Sequence, residues 1–193
     1  DELVFDGGSF VCDGAGEISA QADFFSESFM TVPIDQDQIT SKAKKPLLGN
    51  ERAIYEALVL GVKDYVEKNG FPGVLIGLSG GIDSALTMAV ASDALGAKRV
   101  KAVMMPSQFT ASMSREDASS MAMGLGVEYS EVEIKPMFDA FMSSLSEEFL
   151  GRAFDTTEEH PQSSLRGTPL MSLSNKLGSS VPPTANQTPM STR

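Results

Sequence analysis

Residues 77–84 read Gly-Leu-Ser-Gly-Gly-Ile-Asp-Ser, and their types and spacing suit the binding of a polyphosphate. Gly80 and Gly81 adjoin at a predicted strand-to-helix turn framed by Gly77, Leu78 and Ile82. Backbone N–H groups at such a turn point into one concavity, and the helix N-terminus adds partial positive charge. Ser79 and Ser84 bring hydroxyl donors, and Asp83 brings a hard oxygen ligand suited to Mg²⁺. No Gly-Lys-Ser/Thr follows, and no lysine is placed to reach a terminal phosphate, so this is not a Walker A loop. A glycine turn that only packed a helix on a strand would not need Ser79, Asp83 and Ser84 at this spacing.

The elements around the loop are legible from periodicity. Val74–Leu78 is an apolar run that predicts a buried parallel strand, and 84–95 predicts a buried helix. Upstream, residues 50–69 place Ile54, Leu58, Gly61, Val62 and Tyr65 on one helical face, with Gly70, Pro72 and Gly73 as the stop. Downstream, Val100–Met105 predicts a second strand closed by Pro106. Ser114 with Asp117 predicts a capping box opening a helix whose core face is Ala118, Met121, Ala122 and Leu125. Val127–Ile134 predicts a third strand, and Phe138, Phe141, Met142 and Leu145 a further amphipathic helix. Strands alternating with helices predict an α/β fold, a doubly wound parallel sheet, with its ligand site beyond the carboxyl ends of the strands. Residues 3–22 alternate around Gly7-Gly8 and Asp13–Gly16 and predict short strands, the last over Glu17–Ala22. Residues 26–49 show no period and read as a linker, with Lys42, Lys44 and Lys45 as solvated charges. The methionines, Met104, Met105, Met113, Met121 and Met123 among them, read as core filling.

Bulk properties narrow the class. The 193 residues allow one domain and part of another, and the sequence reads as a fragment whose start is missing. A net charge of −11 argues against a nucleic-acid surface, and no apolar run reaches the length of a membrane span. An anionic ligand must then be held by local amides, a few basic side chains and a metal. Cys12 is the single cysteine, so no internal disulfide forms, which fits a cytoplasmic protein.

The Ser-Gly-Gly-Ile-Asp-Ser run resembles the pyrophosphate loop of enzymes that split ATP between the α and β phosphates. Within that superfamily, residues 71–150 resemble the synthetase domain of the NAD+ synthetases, through Val74–Met88, Ala102–Ser107, Ser114–Ala118 and Pro136–Phe141. Leu3–Ser9 resembles the closing strands of a nitrilase-type glutaminase, so the whole resembles the glutamine-dependent form of the family. The resemblance implies a glutaminase end at 1–25, a linker at 26–49 and a partial synthetase domain at 50–193. It implies ATP and Mg²⁺ as cofactors, with Asp83 as a metal ligand. It implies adenylation of deamido-NAD+ by ATP, then displacement of AMP by ammonia made from glutamine. It also implies a homo-oligomeric parent enzyme.

After about residue 159 the chain departs from the family pattern. His160 stands where the family has Asn, and Ser164 where it has an Arg associated with deamido-NAD+; Arg166 is kept. Thr184 matches a residue associated with ATP, but Pro189 replaces a Glu that serves the family as a second Mg²⁺ ligand. Pro161 and Pro169 fall where the family builds a helix, and predict its interruption and poor order over 160–193. Cys12 and His160, each the only residue of its type, read as incidental rather than catalytic. The alternatives to an active ligase are a decayed ATP-binding module and another pyrophosphate-loop amidotransferase.

Overall fold

A three-stranded parallel sheet carries the predicted loop. It is seen in a computed structural model that describes residues 3–36, 38–40, 45–107, 110–149 and 159–182, with 159–164 described as backbone. The chain forms two units, Asp1–Tyr65 and Val66–Arg193.

In the first unit, β1 (Phe10–Cys12) and β2 (Ile18–Gln21) form an antiparallel hairpin with a bulge between Val11 and Cys12. Asp13 closes its turn by accepting the N–H groups of Ala15 (2.9 Å) and Glu17 (3.0 Å) on one carboxylate oxygen. The segment read as an aperiodic linker contains a second hairpin, β3 (Ile34–Asp35) and β4 (Gln38–Ile39). Two-residue strands are too short to show a period, and the turn is made at Gln36 with φ +47°, without the glycine that usually marks such a position. Lys45 pairs with Asp23 at 2.8 Å, in keeping with a structural charge; Lys42 and Lys44 lie outside the described residues.

Helix α1 (Asn50–Lys68) ends one residue short of the predicted span, and its predicted face is not its buried one. Ile54, Leu58 and Tyr65 are exposed, whereas Val66 is buried. Periodicity marks an apolar stripe; it does not say what covers it.

In the second unit the strands are β5 (Val74–Leu78), β6 (Val100–Met104) and β7 (Glu128–Glu131), in the order β5-β6-β7. The register pairs Val74 with Val100 and Leu78 with Met104, so the two strands end level. Strand β7 is shorter than the predicted 127–134 and ends at Glu131, although the Val132 and Ile134 N–H groups still donate to Met104 O and Pro106 O. Helix α2 (Ile82–Leu95) follows β5, and α3 (Ser112–Leu125) follows β6. Helix α3 begins two residues before the predicted cap. Ala111 holds the cap position with no side-chain hydrogen bond, and Ser114 sits inside the first turn. Its core face is as predicted at Ala118 and Ala122, both buried. Helix α4 (Lys135–Ser144) has proline in its first turn, where the missing N–H costs no helical bond.

Helix α5 (Glu159–Leu177) forms despite both prolines, contrary to the interruption predicted there. Pro161 falls in the first turn, where proline is tolerated; Pro169 is interior. An interior proline costs roughly 3 kcal/mol. Leu170 and Leu173 pack against the buried cluster Leu75, Val103, Met105 and Ile134. Both leucines are partly buried there, and their burial offsets part of that cost. Beyond α5 the chain returns to β5. Leu75 N–H donates to Ser180 O (2.8 Å) and Ser180 N–H to Gly73 O (3.0 Å), a parallel bridge on the edge of β5 opposite β6. The connection order therefore reverses at β5, which makes its carboxyl end the switch point where ligands bind in open α/β sheets.

Candidate phosphate and nucleotide site

Residues 79–81 join that carboxyl end to α2, and a closed set of hydrogen bonds shapes them. Ser84, in the first turn of α2, is 2% exposed, whereas Ser79 is exposed. The Ser84 hydroxyl donates to Gly81 O (3.0 Å) and accepts the Ser79 N–H (3.2 Å). Having one proton, it leaves Ser79 as the donor in the contact between the two hydroxyls at 3.1 Å. Ser79 Oγ in turn accepts the Gly81 N–H at 3.2 Å. Both hydroxyl protons are thus used within the loop.

Gly80 has φ +79°, and a Cβ there would lie 2.6 Å from Ser114 O and 2.7 Å from Ser114 Cβ. Glycine is needed twice over, for the backbone angle and for the approach of α3. Ile82 and Asp83 are exposed in the first turn of α2, at its positive end, while Leu78 is buried beneath the loop.

Beside the loop lies a cavity of about 490 Å³. One wall is Gly77, Leu78 and Ser79; another is Met104 and Met105 at the end of β6. Thr110, Ala111 and Ser114 lead into α3, and Arg166, Gly167 and Leu170 come from α5. A Cβ at Gly77 would sit 3.4 Å from both Leu170 and Met105, so glycine there keeps the cavity wall thin. Arg166 donates from Nε to Met105 O at 3.3 Å, which fixes the guanidinium at the rim. Thr110 accepts the Ser107 N–H at 2.9 Å and shapes the turn after Pro106.

The structure therefore gathers Gly77, Leu78, Ser79, Gly80, Gly81, Ile82, Asp83 and Ser84 at one sheet end, with Arg166 across the cavity from the loop's first residues. Thr184 and Pro189 lie outside the described residues, as do the side chains of His160 and Ser164. Cys12 is exposed in the first unit. Sequence reasoning did not single out Thr110 or Leu170, and it read Ser114 as a helix cap rather than as part of the cavity wall. The Pro106-Ser107 break at the end of a predicted strand was the available signal for Thr110.

The sequence model of the NAD synthase family matches residues 54–192. The chain belongs to the NAD synthase family. Its relatives include the glutamine-dependent NAD(+) synthetase of Acinetobacter baylyi, 44% identical across 97% of this chain and 35% of the relative. That of Thermotoga maritima is 38% identical across the whole chain and 39% of the relative. The chain thus spans little more than a third of the length of the curated relatives it matches. Among solved structures, the glutamine-dependent NAD+ synthetase of Acinetobacter baumannii, in complex with adenosine diphosphate, superposes with a TM-score of 0.92 at 46% identity. It is matched over 97% of this chain and 36% of that one. As a member of the NAD synthase family, the chain has the expected α/β fold with the pyrophosphate-type loop after its first parallel strand.

Proposed function

We propose that residues 50–193 are the ATP-binding part of a ligase that amidates deamido-NAD+ to NAD+. ATP adenylates the nicotinate carboxylate, its oxygen attacking the α phosphate as pyrophosphate departs; ammonia then displaces AMP to form the amide. The observation that carries this reading is the junction of the 77–84 loop with the 490 Å³ cavity at the carboxyl ends of β5 and β6, in a chain 44% identical to a named synthetase. The relative of 46% identity was solved in complex with adenosine diphosphate, which supports an adenine nucleotide as ligand.

The roles follow from the geometry. The first-turn end of α2 faces the departing pyrophosphate and stabilises its charge without reorganising, and Ser79 adds a hydroxyl once it turns outward. Arg166, held on Met105 O, presents a fixed cation at the cavity rim. No side-chain nucleophile is needed.

Asp83 favours a cation. An exposed carboxylate in the first turn of an anion-binding helix would repel phosphate unless a metal stood between them. Among the described residues no three His, Cys, Asp or Glu side chains cluster to hold a metal. The donor set fits Mg²⁺, which is commonly held by one or two carboxylates together with substrate phosphates and water. Bound there, Mg²⁺ would neutralise charge on the phosphate oxygens.

Residues 1–25 fit the end of a glutaminase of nitrilase type that supplies ammonia from glutamine, in a cytoplasmic, homo-oligomeric parent. A net charge of −11 supports small anionic substrates held locally rather than nucleic acid or an anionic membrane, and among the described residues no helix is long and apolar enough to cross one. Calorimetry with Mg·ATP tests the loop: Asp83→Ala should lose Mg²⁺-dependent binding and keep the fold. Equal affinity in the variant would remove Asp83 from the site.

One observation favours a second reading, a nucleotide-binding module without turnover: Ser164 and Pro189 stand where the resemblance places an Arg and a metal-ligating Glu. Ammonia-supported synthesis of NAD+ from deamido-NAD+ by the purified chain separates the two.

A further inference from the structure

Gly80 is pressed against Ser114, and the residue after Ser114 is tied to the far edge of the sheet. Arg115 donates from Nη2 to Glu131 Oε2, at the last position of β7. Glu131 Oε1 accepts the Tyr129 hydroxyl at 2.8 Å, so both carboxylate oxygens are engaged. The three groups favour one another's bonded states. The hydrogen bond from Arg115 holds the Glu131 carboxyl below its ordinary range, with the Tyr129 bond adding to it. The Arg115 guanidinium is held more firmly protonated by its hydrogen bond and attraction to Glu131. Ser114 also lines the nucleotide cavity, so the start of α3 touches both the loop and the cavity wall.

We propose that Glu131, with Arg115 and Tyr129, is a positioning brace for the phosphate loop. It sets where α3 begins, and α3 sets Gly80. Helix α3 has no side-chain N-cap, and Ala111 offers none. Among the described residues, this triad ties that first turn to β7 from outside the helix. The brace rests on the reading of residues 77–84 as a phosphate loop only for its effect on ligand; its effect on Gly80 stands apart from any ligand.

The experiment uses the full chain, with Glu131→Gln, Arg115→Gln, the double variant and Tyr129→Phe. The control is Lys101→Gln, which breaks the Lys101–Glu128 pair (2.5 Å) at the opposite end of β7. Three readouts are taken: melting temperature, the Gly80 amide resonance without ligand, and affinity for Mg·pyrophosphate by calorimetry. Glu131→Gln and Arg115→Gln should each move the Gly80 resonance and weaken pyrophosphate binding by about two- to fivefold, the scale of a partly exposed pair. The double variant should be no worse than either single one, since the same tie is cut. Lys101→Gln should leave Gly80 and the affinity unchanged. A Gly80 resonance unmoved by Glu131→Gln, or moved equally by Lys101→Gln, overturns the brace. If the unaltered chain takes up no pyrophosphate, the proposed function fails, and the Gly80 resonance still decides the brace.

Discussion

Replacing Ser84 with alanine should damage the loop from within, and the structure sets the size of the effect. The hydroxyl is buried and makes three hydrogen bonds: to Gly81 O, from the Ser79 N–H and from the Ser79 hydroxyl. Gly81 O keeps a partner when Ser84 is gone, because it also accepts the Ala85 N–H at 3.2 Å. The Ser79 hydroxyl is exposed and can turn to water. The lasting loss is the Ser79 N–H, left in a partly buried place without its acceptor. A typical net hydrogen bond contributes about 1 kcal/mol, and an orphaned buried donor costs about 1–3 kcal/mol. The partial burial places Ser84→Ala near the lower end, at about 1–2 kcal/mol, or roughly 2–8 °C in melting temperature for a chain of this length.

Ser79→Ala gives the contrast. Its hydroxyl is exposed, and the Gly81 N–H that it accepts can be taken over by water, so its melting point should hold within about 2 °C, as for surface changes in general. Both variants should weaken Mg·pyrophosphate binding, Ser79→Ala by loss of a donor and Ser84→Ala by loss of loop shape. Thermal melting and calorimetry on the same preparations check this. The reasoning is refuted if Ser84→Ala melts with the unaltered chain, or if Ser79→Ala is the less stable of the two.

Gly80→Ala should lower both melting temperature and pyrophosphate affinity, since a Cβ at φ +79° would stand 2.6 Å from Ser114 O and the loop must move. Pro169→Ala should raise stability by about 2–3 kcal/mol in denaturant unfolding, by restoring a helical bond and removing a ring from the interior of α5. Burial, then the hydrogen bond to Glu131, pushes the Tyr129 hydroxyl up from 10.0 to about 12. The neutral form is the one the fold favours, so its contribution is complete below pH 10.0 and is lost as pH rises through about 12. Tyrosinate absorbance should show that titration move downward in Glu131→Gln.

The sheet and the loop were legible because their signals are local. Val74–Leu78 and Val100–Met104 are continuous apolar runs, and the glycines, Asp83 and both serines stand in eight successive residues. Helix α5 was not legible for the opposite reason. Pro161 and Pro169 are local signals against a helix, whereas what holds α5 is remote: Leu75, Val103, Met105 and Ile134 come from elements 50 or more positions away in several cases, and none of them announces its partner. The start of α3 shows the same limit. Ser114 and Asp117 fit a capping pattern, yet Ser114 lies inside the helix against Gly80, a contact between residues separated by helix α2 and strand β6. The short β3–β4 hairpin left no period to read.

Local and remote constraints meet in the loop, and this bears on how it would bind an anion. Ser84 fixes its interior, α3 limits it at Gly80, and the level ends of β5 and β6 fix where it starts. A loop shaped by three separate supports keeps its concavity without a ligand, so little ordering cost falls on binding. The same supports use up both serine protons inside the loop. An incoming phosphate must therefore draw the Ser79 hydroxyl away from Ser84, exchanging a neutral hydrogen bond for one to an anion. Charge-assisted bonds are roughly twice as strong as neutral ones, so the exchange favours a highly charged ligand over water or a neutral hydroxyl. In the proposed site, selectivity for polyphosphate would then arise from the closed network itself, in addition to the dipole of α2.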